Sequence, residues 1–130
     1  MEHPVGTKIL CIEDEHFISE LYGRALTKAG YVVTTVFSGE DGLTKAFSDD
    51  YAIILLDIMI PGIDGLEVLK RLRGPEASVK VTSKIIVTTN LDLDPERRTA
   101  IEEQADGYLI KAEITPNELV EYVKQIPLAN

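Results

Sequence analysis

The sequence predicts a doubly wound (βα)5 domain, α/β in class, with a five-stranded parallel sheet in the order 2-1-3-4-5 and helices on both faces. Short apolar runs alternate along the chain with segments whose apolar residues recur every three or four positions. Alternation of this kind is typical of right-handed βαβ units. The run Ile53 to Leu56 is apolar without interruption, as expected for a strand buried on both faces of a parallel sheet. The flavodoxin-like strand order is the natural arrangement of five such units.

Five β-rich runs predict the strands. They cover residues 8–12, 31–36, 53–57, 84–89 and 106–110. The third run ends abruptly on Asp57, and Pro61-Gly62 and Asp64-Gly65 then indicate a loop.

Capping residues and helical periodicity predict five helices. The first runs from His16 to Gly30 and carries on one apolar face Ile18, Leu21, Tyr22, Ala25 and Ala29. The second starts at Ser38 and buries Leu43, Ala46 and Phe47, the third runs from about Leu66 to Gly74-Pro75, and the fourth runs from Asp94-Pro95 to about Gln104. The fifth starts with the capping box Thr115-Pro116-Asn117-Glu118 and turns Leu119, Val120, Val123 and Ile126 inward.

Composition bounds the function classes. The 130 residues are 45% hydrophobic and 27% charged, which fits one globular domain. A net charge of −9 disfavours direct nucleic-acid binding. No apolar run approaches the roughly 20 residues of a membrane span, and no signal-peptide pattern occurs. The single cysteine, Cys11, fits a reducing cytoplasmic setting. His3 is expected in a frayed terminus.

The predicted strand order brings acidic side chains together. Strands one and three are neighbours at the switch point, so Glu13, Asp14 and Asp57 should meet at one crevice. Two unit charges about 4 Å apart cost on the order of 4 kcal/mol at an effective dielectric near 20. The cluster therefore needs a cation, or one acid must stay protonated. Carboxylates with several waters are the usual ligands of Mg²⁺.

Two further polar residues end neighbouring strands. Thr89 ends the fourth strand, and Lys111 follows the fifth. A carboxylate nucleophile, a metal, a hydroxyl donor and a lysine together are typical of phosphoryl transfer.

From about residue 7 to 126 the chain resembles the CheY-like receiver domain of two-component response regulators. The resemblance depends on Glu13-Asp14 after the first strand, on Leu-Leu-Asp57-Ile-Met-Ile-Pro-Gly-Ile-Asp-Gly after the third, on Thr89 and on Tyr108-Leu-Ile-Lys111. Together, at these spacings, the motifs are highly specific.

The resemblance implies a role for each matching residue. Asp57 would be the phosphoacceptor; Glu13, Asp14, Asp57 and the backbone carbonyl of Met59 would hold Mg²⁺ (or Mn²⁺); Lys111 and Thr89 would contact the phosphoryl oxygens; and Thr89 with Tyr108 would form the conformational switch. By the same resemblance the chain is a phosphorelay signalling domain and not a metabolic enzyme, although it takes part in its own phosphorylation and dephosphorylation.

The resemblance also implies partners. The phosphoryl group would come from a sensor histidine kinase or a histidine phosphotransfer protein. An effector protein would bind the face formed by the fourth helix, fifth strand and fifth helix. We expect one receiver domain over residues 1–130 with its core at about 7–126, no output domain, no membrane contact, and a monomer or weak dimer.

Two departures from the family pattern, and two apolar residues beside the site, bear on its chemistry. Glu13 replaces the commoner Asp, which favours a water-bridged metal contact. Ala112 stands where Pro is usual, and a cis bond before Ala would cost about 3–4 kcal/mol. The Lys111–Ala112 bond is therefore predicted to be trans or a strained cis bond. Met59 and Leu91 are apolar and predict slow self-hydrolysis of the phosphoryl group.

Three other functions compete with this hypothesis. A phosphohydrolase of the haloacid-dehalogenase type needs a second Asp where Met59 stands, and a flavin-binding module needs a hydroxyl- and glycine-rich loop where Glu13-Asp14-Glu15 stands. A degenerate receiver that binds proteins without phosphorylation stays open. Near the site, Glu15, His16, Asp64 and Thr88 are interpreted as surface, capping or strand residues.

Overall fold

The computed structural model of the chain describes residues 3–75, 77, 81–90 and 94–129. In these ranges five strands alternate with five α-helices: β1 (Lys8–Ile12), α1 (His16–Lys28), β2 (Val32–Val36), α2 (Gly39–Ser48), β3 (Ile53–Asp57), α3 (Gly65–Arg73), β4 (Lys84–Thr89), α4 (Pro95–Gln104), β5 (Gly107–Ile110) and α5 (Pro116–Lys124). No helix in the same ranges is long and apolar enough to cross a bilayer.

The sheet is parallel throughout and has the predicted order β2-β1-β3-β4-β5. Its register decides which residues meet at its carboxyl edge. Ile12 lies opposite Leu56, so the next residues, Glu13 and Asp57, leave adjacent strands at the same height. The chain reverses its winding direction between β1 and β3, which opens a crevice at this point.

Alternate residues of the central strands face two separate apolar layers. One layer packs the sheet against α2, α3 and α4 through residues such as Leu10, Ile54 and Ile85. The other packs it against α1 and α5 through residues such as Ile9 and Leu55. β3 is buried along its whole length, as its uninterrupted apolar run predicts.

Side-chain caps begin the helices where the sequence predicts them. Ser38 accepts from the Asp41 backbone N–H, and Asp94 accepts from the Arg97 N–H. Thr115 forms both halves of a capping box with Glu118. Each cap satisfies backbone donors that the first helical turn leaves unpaired, so these boundaries follow from local chemistry.

Several local predictions are wrong. Phe47 is 51% exposed, and Ala29 is exposed at the end of α1. Leu26, fully buried, supplies the inner contact of that helix instead. His3 is not frayed, because its Nε2 donates to the Ile126 carbonyl (2.8 Å) and its Nδ1 hydrogen-bonds with the Tyr31 hydroxyl (2.7 Å).

Arg73 ties the end of α3 to the amino edge of the sheet. Its guanidinium donates to the carbonyls of Gln104 (3.2 Å) and Ser83 and forms an ion pair with Asp106 (3.0 Å). The Asp106 carboxylate also accepts from the Ile85 N–H (2.8 Å). This one side chain therefore links α3, α4, β4 and β5.

Replacement of Arg73 by Ala should lower the free energy of unfolding by roughly 2–4 kcal/mol, because several partly buried acceptors lose their donor. Arg71→Ala is the matched control on the same helix. Its exposed ion pair with Glu67 is worth roughly 0.5 kcal/mol. Urea unfolding measures both changes. Equal losses in the two variants would contradict the role given to Arg73.

Candidate functional site

The site begins with two acids placed by adjacent strands. Glu13 follows β1 and Asp57 ends β3. Both side chains are buried, whereas Asp14 is half-buried. Ligand oxygens of the three carboxylates lie within 4.8 Å of one another. The crevice expected from the strand order is therefore present, and the three predicted acids line it.

Lys111 reaches into this crevice from the far side of β4. It follows β5 and opens a short 3-10 turn, Lys111–Glu113. Its ammonium donates to Glu13 Oε1 at 2.5 Å and to Asp57 Oδ2 at 3.1 Å. No cis peptide bond occurs in the described ranges, so the bond to Ala112 is trans, one of the two predicted outcomes. Lys111 therefore contacts Glu13 and Asp57 although Ala112, and not proline, follows it.

Backbone groups hold the second oxygen of each buried acid. The Met59 N–H donates to Asp57 Oδ1 (3.0 Å), and the Glu15 N–H donates to Glu13 Oε2 (3.1 Å). Each acid is thus fixed by one backbone donor and by the shared lysine. Hydrogen bonds at both oxygens restrict side-chain rotation, so Asp57 is presented in one orientation.

Burial and crowding change the proton affinities of the site. Burial, followed by the nearby charge of Glu13, raises the pKa of Asp57 to about 7, although the Met59 N–H and Lys111 oppose the rise. Burial alone would lower the pKa of Lys111, but its hydrogen bond to Glu13 and the charges of Asp57 and Glu13 outweigh burial and raise it. The lysine therefore stays charged, while Asp57 binds its proton more tightly than an ordinary aspartate.

The donor set fits a divalent hard cation. When ionised, the three carboxylates carry three negative charges and Lys111 carries one positive charge, which leaves two charges to neutralise. All the side-chain donors are oxygens, as Mg²⁺ and Mn²⁺ prefer. Half-buried Asp14 gives the group an edge toward solvent, where bound waters could complete the coordination.

Thr89 and Tyr108 lie on the strands beside this crevice. Thr89 is fully buried at the end of β4, where it pairs with Ile110 of β5. Thr88, its neighbour, is the strand partner of Asp57. Tyr108 is half-buried on β5, and the Arg98 guanidinium of α4 lies over its ring, 5.6 Å from the centroid. The sequence has no pattern that reveals this contact.

Residues interpreted as bystanders remain at the rim. Glu15 and His16 are exposed at the start of α1, and the His16 ring stacks on Phe37 (4.0 Å between centroids). Asp64 caps α3 by accepting from the Glu67 N–H. Met59 exposes 57% of its surface, whereas Leu91 lies outside the described residues.

Fold and site together define a doubly wound α/β domain with an acidic, lysine-bridged crevice at its switch point. The family model for the response regulator receiver domain matches residues 9–124. The chain therefore belongs to the receiver domains of two-component systems, in agreement with the resemblance seen in its motifs.

Curated relatives are regulators of greater length. The transcriptional regulatory protein HprR of Escherichia coli is 42% identical over 104 residues, which are 80% of this chain and 44% of HprR. The response regulator ArlR of Staphylococcus aureus is 36% identical over 81% of this chain and 46% of ArlR. The chain thus spans less than half the length of these two relatives.

Solved structures share the fold. The CheY-like receiver domain protein of Methanospirillum hungatei superposes with a TM-score of 0.79 at 26% identity, over 92% of each chain. TrrA of Thermotoga maritima, solved in complex with Mg²⁺-BeF, gives a TM-score of 0.76 at 36% identity, over 92% of this chain and 97% of TrrA.

Asp57→Asn should stabilise the metal-free protein at pH 8 but not at pH 4. The folded-state pKa of Asp57, about 7, lies above the usual unfolded value of about 3.9, so the folded state holds the proton longer. Stability contributed by this group is therefore lost as pH rises from about 4 to 7. The variant removes that loss, on the order of 2–4 kcal/mol at pH 8. Denaturant unfolding in EDTA measures the difference, with exposed Glu103→Gln as control. A constant difference across this pH range would contradict the assignment.

Proposed function

We propose that this receiver domain accepts a phosphoryl group onto Asp57 from a histidine of a sensor kinase or phosphotransfer protein, in a Mg²⁺-dependent reaction. The observation that carries the proposal is the buried Asp57 carboxylate held by Lys111 beside Glu13 and Asp14. Family membership supports it, since such domains are the receivers of two-component systems. The domain is a signalling module that takes part in its own phosphorylation and dephosphorylation, not a metabolic enzyme.

In the reaction proposed, Asp57 is the nucleophile. One of its carboxylate oxygens forms a bond to phosphorus while the phosphorus–nitrogen bond to the donor imidazole breaks. The nitrogen leaves with the electron pair of that bond. The imidazole is neutral on departure if its other nitrogen carries a proton, and otherwise it takes one proton from solvent. The Met59 N–H on Oδ1 and the Lys111 ammonium on Oδ2 orient the carboxylate for this attack.

Glu13, Asp14, Asp57 and the backbone carbonyl of Met59 would hold the Mg²⁺ ion (or Mn²⁺), with Glu13 acting through a water. When bound, the ion supplies positive charge next to the transferring phosphoryl oxygens. Asp57, whose pKa burial and the charge of Glu13 raise in the metal-free protein, would then be ionised and nucleophilic at neutral pH.

Lys111 and Thr89 would couple phosphorylation of Asp57 to a change at the protein surface. A phosphoryl oxygen would compete with Glu13 for the Lys111 ammonium. The Thr89 hydroxyl would donate a hydrogen bond to a second phosphoryl oxygen. Tyr108, next to Thr89's strand on β5, would change its ring position as Thr89 moves. The face made by α4, β5 and α5 then switches between two states that phosphorylation biases.

The proposed output is an effector protein bound to that α4–β5–α5 face. A net charge of −9 argues against a direct nucleic-acid contact by this domain. Relatives such as HprR are transcriptional regulators, and in a protein of that kind the switching face would act on other parts of the regulator. We propose that the domain acts in the cytoplasm as a monomer or weak dimer.

Incubation with phosphoramidate and Mg²⁺ should add one phosphoryl group to the wild type, measured by intact mass. Asp57→Asn should remove the gain because it replaces the nucleophile. Asp64→Asn is the matched control, since Asn also caps helices and Asp64 lies at the far end of the same loop. A gain that persists in Asp57→Asn would contradict the assignment of the acceptor.

The phosphorylated domain should lose its label slowly, because the Met59 side chain at the rim has no group that orients a water. Met59→Asn should speed the loss several-fold, and Met59→Leu should leave it unchanged. Decay of intact mass after removal of the donor measures the rate. Fast loss from the wild type without any phosphatase would overturn the expectation.

A degenerate receiver that binds proteins without phosphorylation is the second candidate. It is favoured by the short ion pair between Lys111 and Glu13, which occupies the ammonium that a phosphoryl group would need. A folded wild type that gains no mass with phosphoramidate or acetyl phosphate, in Mg²⁺ or Mn²⁺, would select this candidate.

A further inference from the structure

The first turn of α2 contacts the loop that follows the acceptor strand. The Glu40 Oε1 atom accepts a hydrogen bond from the Ile63 backbone N–H at 2.6 Å, across 23 positions of sequence. A charged acceptor makes this a stronger bond than one between neutral groups. The contact joins two segments that are remote in sequence, and the ordinary role of an acid in a first helical turn does not explain it.

The loop is shaped to receive the Glu40 carboxylate. Gly62 has a φ of +77°, and a Cβ atom there would lie 2.3 Å from Glu40 Oε1 and 2.4 Å from Oε2. The carboxylate thus occupies the place where a side chain at position 62 would stand. Beside it, the backbone of Gly39 abuts the Ile63 carbonyl, 2.1 Å from an ideal Cβ position. Two glycines therefore permit the close approach of helix and loop.

The same loop carries a group assigned to the metal. It runs from Ile58 to Asp64 and contains Met59, whose backbone carbonyl is a proposed ligand. At its start the Met59 N–H is bonded to Asp57 Oδ1, and the Gly65 N–H is bonded to the Ile58 carbonyl (3.0 Å). These bonds secure the two ends next to β3 and α3. The Glu40 bond secures the segment between them.

We propose that Glu40 is a positioning residue that holds the 58–64 loop so that the Met59 carbonyl faces the acids of the crevice. The proposal rests on the metal-dependent function proposed above. Glu40 acts through the loop backbone and does not itself touch the phosphoryl group or the metal. It would therefore change how tightly the site binds a divalent ion, and it would change the reaction only through that ion.

The first experiment measures the loop in the metal-free protein. Hydrogen exchange of the Ile63 amide should be at least tenfold faster in Glu40→Ala than in the wild type, because the amide loses its acceptor. Asp41→Asn is the matched control: it removes the adjacent exposed acid of the same helical turn, which makes no side-chain contact with the loop among the described hydrogen bonds. Exchange in this control should equal that of the wild type.

The second experiment measures Mn²⁺ and Mg²⁺ affinity by calorimetry. Glu40→Ala should weaken binding about tenfold, equivalent to about 1.4 kcal/mol. Glu40→Gln retains an oxygen acceptor of the same reach and should recover most of the affinity. With phosphoramidate, Glu40→Ala should be phosphorylated slowly at limiting Mg²⁺ and at nearly the wild-type rate at saturating Mg²⁺.

Two results would overturn the proposal. One is a metal affinity for Glu40→Ala within twofold of the Asp41→Asn control. The other is a slow rate that saturating Mg²⁺ does not restore. If Glu40→Ala is not folded, Glu40→Gln is measured in its place, by metal affinity and by exchange of the Ile63 amide. Both values should then lie between those of the wild type and complete loss. Faster Ile63 exchange with a metal affinity equal to that of the Asp41→Asn control would overturn the proposal. A wild type that binds metal but gains no phosphoryl group would instead reject the proposed function and leave the exchange and affinity measurements to decide on Glu40.

Discussion

The site depends on one buried ammonium shared between two buried carboxylates. Lys111 lies 2.5 Å from Glu13 and 3.1 Å from Asp57, in surroundings where an unpaired charge would be strongly destabilising. One lysine cannot neutralise three acids, so the crevice keeps an excess of negative charge. Burial and the nearby charge of Glu13 raise the pKa of Asp57, and the excess negative charge suits the crevice to a divalent cation. In the proposed function, proton binding, metal binding and nucleophilicity are therefore linked through this ion-pair group.

The fold supports this group through the order of its strands. β1 and β3 are paired, so Glu13 and Asp57 lie side by side at the carboxyl ends of neighbouring strands. β4 lies between β3 and β5, so the long side chain of Lys111 has to cross the end of β4, where Thr89 stands. A chemical change at Asp57 therefore occurs beside residues that follow or end β1, β4 and β5. The 58–64 loop follows Asp57 directly, and its contact with Glu40 connects the site to α2.

Local chemistry made much of the structure predictable, and long-range contact made the rest unpredictable. Asp57 at its strand end and the Ser38 and Thr115 caps follow from periodicity and capping, which depend on near neighbours. The strand order follows from the few arrangements open to alternating βαβ units. The burial of Leu26 in place of Ala29 and the exposure of Phe47 depend on how far each helix extends over the sheet. The bond from Glu40 to Ile63 spans 23 positions, and the sequence has no spacing signal for such pairs.

The central claim is that burial and the charge of Glu13 let Asp57 hold a proton up to about neutral pH, and that a divalent cation displaces this proton. The direct measurement is a carbon-13 NMR titration of the side-chain carboxyl groups, with the Asp57 signal assigned by its absence in Asp57→Asn. In EDTA we predict a pKa of about 7 for Asp57, and with saturating Mg²⁺ we predict ionisation at clearly lower pH. An Asp57 that titrates near 4 in EDTA, with no response to Mg²⁺, would contradict the account.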